Sequence, residues 1–278
     1  MARTMKDESA ERVGALMMEA AERAILPRFR ALAADEVEEK SPGELVTVAD
    51  REAEAILAAG LAPLLPGSRV LGEEACSADP RLLDSLADGA VWLVDPLDGT
   101  ANFAAGRPVF AVMVALLRDG ETQAAWLLEP LSGRLARAER GGGAWLGERR
   151  LSAVPRAPGA RLRGSMGRFM PEEMNARLEA RLEAGAERLP GMMSAGVEYP
   201  MIAAGERDFA FYWRTLAWDH AAGVLFVIEA GGKAARPDGS AYRPAEAGKG
   251  MLVAASPDRW EMARELLFGG EGAPDPAA

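Results

Sequence analysis

The chain has 278 residues, 49% hydrophobic and 27% charged, an ordinary globular composition with length enough for one large domain of two lobes. A formal net charge of −10 argues against sequence-independent nucleic-acid binding, which needs a basic footprint to release counterions. One cysteine, Cys76, excludes an internal disulfide, and one histidine, His220, leaves too few soft ligands for structural zinc, so any metal must be oxygen-ligated.

Residues 7 to about 35 read as an amphipathic helix. Val13, Leu16, Met17, Ala20, Ala24 and Ile25 follow the i, i+3, i+4, i+7 pattern up to an interruption at Pro27. Residues 40–50 read as a loop leading into a helix over 51–65. Thr47 followed three residues later by Asp50 fits a capping box, so Asp50 has a structural reading beside any chemical one. A short strand over 68–71 ends at Gly72-Glu73-Glu74, and a helical turn is expected over 81–86.

Val91-Trp92-Leu93-Val94 reads as a buried strand that Pro96, lacking an N–H, should stop at Asp95. The run Asp95-Pro96-Leu97-Asp98-Gly99-Thr100 therefore places two carboxylates at a strand end, where Pro96 and Gly99 can bend them toward one point. A hard cation holding a phosphate suits such a place, and an acidic chain needs one to attract an anionic ester. A short helix is expected over 101–103, its first N–H groups facing any anion near Thr100. Strands over 109–117, 123–129 and 135–139, with a hairpin turn at Asp119-Gly120, predict a large antiparallel sheet.

Gly141-Gly142-Gly143 reads as a turn, because no Gly-Lys-Ser/Thr follows it as in a phosphate loop. Pro155 and Pro158 put a lobe boundary within 152–159. The second half predicts a strand over 161–165, helices over 171–184 and 197–204, a strand over 209–213, and a helix opening at Trp218-Asp219-His220 and stopping at Gly231-Gly232. Asp219 fits that helix's N-cap. A last strand over 251–255 and helix over 257–267 precede a tail, 269–278, expected to fray.

Each acid has a structural explanation alone, but Glu73, Asp95, Asp98 and Asp219 all stand at element ends, where clefts form. Gly72-Glu73-Glu74, Asp95-Pro96-Leu97-Asp98-Gly99-Thr100 and Trp218-Asp219-His220-Ala221-Ala222-Gly223, in that order, resemble the inositol monophosphatase family of the magnesium-dependent, lithium-sensitive phosphatases. The resemblance runs from about residue 40 to the last strand. It implies an α/β (α+β) fold, a layered αβαβα sandwich spanning 1–278 as one domain, with lobes over about 1–152 and 160–268.

It also implies hydrolysis of a small phosphate monoester by metal-activated water in a homodimer. The lack of any apolar run near the ~18 residues that span a bilayer, and of a signal-peptide core at the start, reads as a cytoplasmic protein with no membrane partner, as the charge reads against nucleic acid. Two or three Mg²⁺ ions are implied, with Mn²⁺ as an alternative and Li⁺ as an inhibitor. The ligands would be Glu73, Asp95, the Leu97 carbonyl, Asp98 and Asp219. Gly99 and Thr100 would contact phosphate, Asp50 with Thr100 and Glu73 would orient and deprotonate the water, and Glu74 would support the ligands from behind. A sugar or polyol phosphate is the expected substrate. Histidinol phosphate, fructose 1,6-bisphosphate and 3′-phosphonucleotides are alternatives, as is a non-catalytic metal-binding interaction protein.

Substrate contacts are the point of departure. The family typically has a glutamate seven residues before the Trp-Asp aspartate to meet inositol hydroxyls, and this chain has Tyr212 there. Its Gly-Ser/Thr-Ala-Ala segment becomes Met193-Ser194-Ala195-Gly196, leaving Ser194 and Ala195 as candidate contacts. Arg214 is a candidate for a second anionic group, or is a strand-end arginine in solvent. His220 follows a proposed ligand in a helix, so its side chain turns about 100° from that of Asp219 and is not expected to be a nucleophile. Aspartates three apart, rather than two, argue against a haloacid-dehalogenase phosphatase.

Overall fold

A computed structural model describes residues 7–153, 159–246 and 248–269. The first amphipathic pattern forms α1 (Asp7–Ala20), then widens into a π-turn (Ala21–Ile25) and tightens into a 3-10 turn (Leu26–Arg28) at Pro27 rather than continuing to 35. The stretch expected to be a loop is instead a two-stranded hairpin, β1 (Val37–Ser41) and β2 (Glu44–Thr47). Its first strand is mostly charged and exposed, so no apolar alternation marks it. Thr47 then caps α2 (Val48–Leu61) in the expected box with Asp50.

The next half of the chain builds a seven-stranded sheet from β3 (Arg69–Gly72), β4 (Ala90–Asp98), β5 (Ala111–Arg118), β6 (Glu121–Glu129), β7 (Arg134–Glu139), β8 (Gly143–Leu146) and β9 (Arg149–Arg150), in that spatial order. All neighbours are antiparallel except β3 and β4, which run parallel across the crossover formed by α3 (Glu73–Ala78) and a 3-10 turn (Pro80–Ala87). Asp119 and Gly120 both have positive φ, as a tight hairpin turn with a right-handed strand twist requires.

Pro96 does not end β4. Pairing lapses after Asp95↔Met113 and resumes at Asp98↔Ala111, so Pro96 and Leu97 together face Val112 across a bulge. The missing proline N–H falls where the ladder is already interrupted. Val91 and Leu93 face one apolar cluster while Trp92 and Val94 face another, which explains four bulky residues in succession.

A second sheet contains β10 (Leu162–Met166), β11 (Ala186–Arg188), β12 (Phe209–Tyr212), β13 (Lys233–Ala235) and β14 (Met251–Ala254), ordered β11-β10-β12-β14-β13. Helices α6 (Ala195–Ala203) and α7 (Ala217–Glu229) fill the space between the sheets, α1 and α2 cover the outer face of the first, and α5 (Glu172–Gly185) and α8 (Pro257–Phe268) that of the second. The result is the expected αβαβα order. Three apolar clusters separate the five layers. The expected lobe boundary lies largely in 154–158, and the tail in 270–278, outside the described residues. Among the described residues no helix is long and apolar enough to cross a membrane.

Leu57 is fully buried between α2 and the first sheet, whereas Leu131 is 48% exposed. Leu57→Ala should therefore lower unfolding free energy by about 2–5 kcal/mol, and Leu131→Ala by less than about 0.5 kcal/mol, in urea titrations.

Candidate active site

The cleft opens where β4 ends, at the junction of both sheets and the middle helices. It has a volume of about 220 Å³, and Glu73, Asp95, Leu97, Asp98, Gly99, Thr100 and Asp219 all line it. Glu73 is the first residue of α3, directly after β3, and Asp95 stands on the parallel neighbour β4. Asp219 comes from the first turn of α7; Leu216 is that helix's N-cap, so the N-cap assignment for Asp219 is corrected. Carboxylate oxygens of these three acids lie within 4.8 Å of one another.

Asp98 stands beside this trio with one oxygen already engaged. Its Oδ2 accepts from the Ser194 hydroxyl at 2.5 Å and from the Gly196 N–H at 2.7 Å, at the start of α6. Leu97 donates its N–H to Asp95 Oδ1 at 3.0 Å, which orients that carboxylate, and its carbonyl accepts from Thr100 Oγ1 at 3.0 Å. Gly99 takes φ +90°, and a Cβ there would come within 2.9 Å of the Val109 carbonyl oxygen. Only glycine suits this turn. No side chain caps the five-residue helix α4 (Thr100–Ala104) that follows, so its first N–H groups remain available.

Asp50 serves both readings at once. Its Oδ2 closes the cap with the Thr47 N–H at 2.8 Å and hydroxyl at 2.6 Å, while its Oδ1 lies 3.0 Å from the Thr100 hydroxyl. The cap thus holds a buried carboxylate against Thr100 from fifty residues away in sequence. Burial pushes Asp50 up to about 6 despite those hydrogen bonds.

Crowding among the other acids acts in the same direction. Burial, followed by repulsion from Asp219, pushes Glu73 up to about 8; burial, followed by repulsion from Asp98, pushes Asp219 up to about 7. Asp95 is fully enclosed and is driven well above the usual carboxylate range by burial and then by Glu73. An all-oxygen, acid-rich donor set of this kind fits a hard divalent cation.

Several participants carry no motif. Lys40 on β1 donates to Glu73 at 2.9 Å and Glu74 at 2.8 Å, giving the acid pair its positive neighbour. Glu54 accepts from the Glu74 and Ala75 N–H groups, and a Cβ on Gly72 would collide with it, which accounts for that glycine. Glu198 on α6 is 4% exposed and lines the same cleft. It accepts from Ser165 at 2.6 Å, Arg207 at 2.9 Å and the Tyr212 hydroxyl at 2.9 Å.

Ser194, Ala195, Tyr212 and Arg214 also line the cleft. Arg214 is not a free strand-end arginine, however. It ion-pairs with Glu44 of the hairpin and lies 3.9 Å above the ring of Phe169. His220 is buried, its Nε2 donating to the Arg214 carbonyl at 3.1 Å and its Nδ1 accepting from the Tyr199 hydroxyl at 2.8 Å, so both ring nitrogens are engaged. Burial pushes it down to about 4, so it is a neutral brace for the segment after β12.

The inositol monophosphatase family model matches residues 5–267. An inositol-1-monophosphatase of Mesorhizobium japonicum is 39% identical over 212 residues, covering 72% of this chain and 75% of that protein. A protein named Nus factor SuhB, from Xylella fastidiosa, is 34% identical over 203 residues, covering 70% of each chain. The crystal structure of the extragenic suppressor protein suhB from Bartonella henselae superposes with a TM-score of 0.76 at 26% identity, covering 95% of this chain and 96% of that one.

The raised carboxylates carry a consequence for stability. Unfolded carboxyl groups titrate near pH 4, while Asp219 and Glu73 in the fold titrate at about 7 and about 8. Between those limits the folded state binds more protons, so in the presence of a chelator the melting temperature should fall as pH rises from about 4 to about 8. Glu73→Gln should make that slope shallower in differential scanning calorimetry. An equal or steeper slope would contradict the assignment.

Proposed function

The chain belongs to the inositol monophosphatase family, and from that membership and the geometry of its acidic cleft we propose that it is a Mg²⁺-dependent phosphoric monoester hydrolase acting on a small phosphorylated alcohol. The observation that carries this reading is the convergence of Glu73, Asp95 and Asp219 within 4.8 Å, beside the buried Asp50–Thr100 pair. Glu73, Asp95, the Leu97 carbonyl, Asp98 and Asp219 would hold Mg²⁺. Bound there, Mg²⁺ supplies positive charge for the ester and Lewis acidity toward water.

The protein's own groups do the rest. Backbone N–H groups of Gly99 and Thr100, at the uncapped start of α4, face the phosphate oxygens. The Thr100 hydroxyl accepts a proton from the attacking water as it passes its own proton to Asp50 Oδ1, 3.0 Å away. With its affinity raised to about 6, Asp50 is mostly ionised at neutral pH yet basic enough to share that proton. Water oxygen bonds to phosphorus, the P–O bond to the alcohol breaks in line, and the alkoxide takes a proton from solvent water in the cleft. No protein nucleophile is needed. Glu74, paired with Lys40, supports Glu73 from behind.

The segment around Tyr212 favours a substrate other than myo-inositol phosphate, since a phenol whose proton goes to Glu198 stands where the family's carboxylate would accept from inositol hydroxyls. The assembly read from family membership is a homodimer, with inhibition by Li⁺. A second reading, an interaction protein of the kind named a Nus factor, draws on the 34% identical relative of that name. It is compatible with an intact acidic cleft.

Phosphate release from a panel of monoesters, with and without Mg²⁺, tests the enzyme reading; no metal-dependent release from any ester would overturn it. Asp98→Asn should lower kcat at least ~100-fold with an unchanged circular dichroism spectrum. Thr100→Val should lower kcat by about 10²–10⁴-fold, and Thr100→Ser should recover most of it, because the proton path needs only the hydroxyl. Valine and serine variants of equal activity would remove Thr100 from the mechanism.

A further inference from the structure

One corner of the cleft is built from three segments meeting at one aromatic ring. Phe169, in the turn between β10 and α5, is 45% exposed, and its backbone is held at φ +70°. For a bulky residue this is a strained conformation of the sort that concentrates at functional sites. The Arg214 guanidinium lies 3.9 Å from the ring centroid and that of Arg168 5.3 Å from it. The hairpin turn completes the corner. Glu44 pairs with Arg214, and a Cβ on Gly43 would stand 3.5 Å from Arg168 Nη2.

The charges of this corner do not cancel. Glu44 answers Arg214, and Lys40 is engaged by Glu73 and Glu74. Arg168 is exposed, lines the cleft, and has no carboxylate partner among the described residues. The acid that could have answered it has been withdrawn. Glu198 lines the cleft with both oxygens engaged, one by Ser165 and Arg207 and the other by Tyr212. Tyr212 donates its hydroxyl proton to Glu198, and a phenol at this position offers a polyol no anionic acceptor.

A guanidinium braced against an aromatic ring keeps its N–H edge free, and that edge matches the paired oxygens of a carboxylate or phosphate. We infer that Arg168, with Arg214 and Phe169 as its frame, forms an anion subsite that selects phosphate monoesters whose alcohol carries a second acidic group. This rests on the hydrolase reading above and adds to it the charge of the alcohol. The scissile phosphate would lie at Gly99-Thr100 and the second anion at Arg168, so the alcohol must reach from one to the other along the cleft. A neutral polyol phosphate leaves Arg168 unanswered.

Two matched pairs of esters test this and separate the two kinds of anion. One is 3-phosphoglycerate against glycerol 3-phosphate, for a carboxylate; the other is fructose 1,6-bisphosphate against fructose 1-phosphate, for a phosphate. In at least one pair kcat/KM should favour the acidic member about tenfold or more, and Arg168→Met should bring that ratio toward one through KM, with Arg168→Lys keeping part of the preference. Ratios near one in both pairs for the unaltered protein, or a loss in Arg168→Met that is equal for acidic and neutral members, would overturn the subsite. If no ester turns over, the hydrolase reading fails, and calorimetric titration of the same pairs in Mg²⁺ still decides the subsite. A tenfold tighter Kd for an acidic member that Arg168→Met abolishes supports it, and equal Kd values overturn it.

Discussion

The packing of like charges governs this protein. Three carboxylates within 4.8 Å, each removed from bulk water, repel one another and forfeit hydration, and their raised proton affinities measure that conflict. A fold retains such a group only when rigid elements leave the acids no room to separate. Here the rigidity comes from Asp95 on a strand buried on both faces, Glu73 at the end of its parallel neighbour, and Asp219 in the first turn of a helix between the two sheets.

The same constraint explains polar groups that otherwise look like ordinary structure. The Thr47–Asp50 box ends a hairpin and begins a helix, yet it also fixes the one carboxylate that reaches Thr100. The bulge at Pro96 interrupts a ladder, yet it also allows Asp95 and Asp98 to leave the same strand with different surroundings. Asp98 is held by the start of α6, whereas Asp95 is oriented by Leu97. Lys40 and Glu44 tie the hairpin to both walls of the cleft, one through the acid pair and the other through Arg214.

Much of this was legible in the residues. Apolar runs and turn residues located most strands and helices, because both sheets are covered on both faces and their strands are correspondingly rich in bulky residues. The acids at element ends were legible for a different reason: Asp95, Asp98 and Gly99 lie within one short segment whose bend is local. The β1–β2 hairpin was not legible, since a charged strand on the surface lacks alternation, and β4 ran three residues past Asp95 because a proline N–H is not missed at a bulge. Glu54, Lys40, Glu198 and Arg168 carry no motif either. Their positions depend on which distant backbone they meet.

The sequence by itself determined the family, through three motifs each confined to a few neighbouring residues, and most strands and helices, through periodicity, while its single cysteine and single histidine left oxygen as the donor for any metal. Tertiary structure alone decided that Glu73, Asp95 and Asp219 converge, that Asp50 reaches Thr100, and that the cleft also holds Glu198 paired with Arg207 and an Arg168 with no carboxylate partner among the described residues. Those outcomes are sums of charge and distance over residues up to about 150 positions apart. No local pattern encodes such a sum, and it exists only once the two sheets and the helices between them have closed around the cleft.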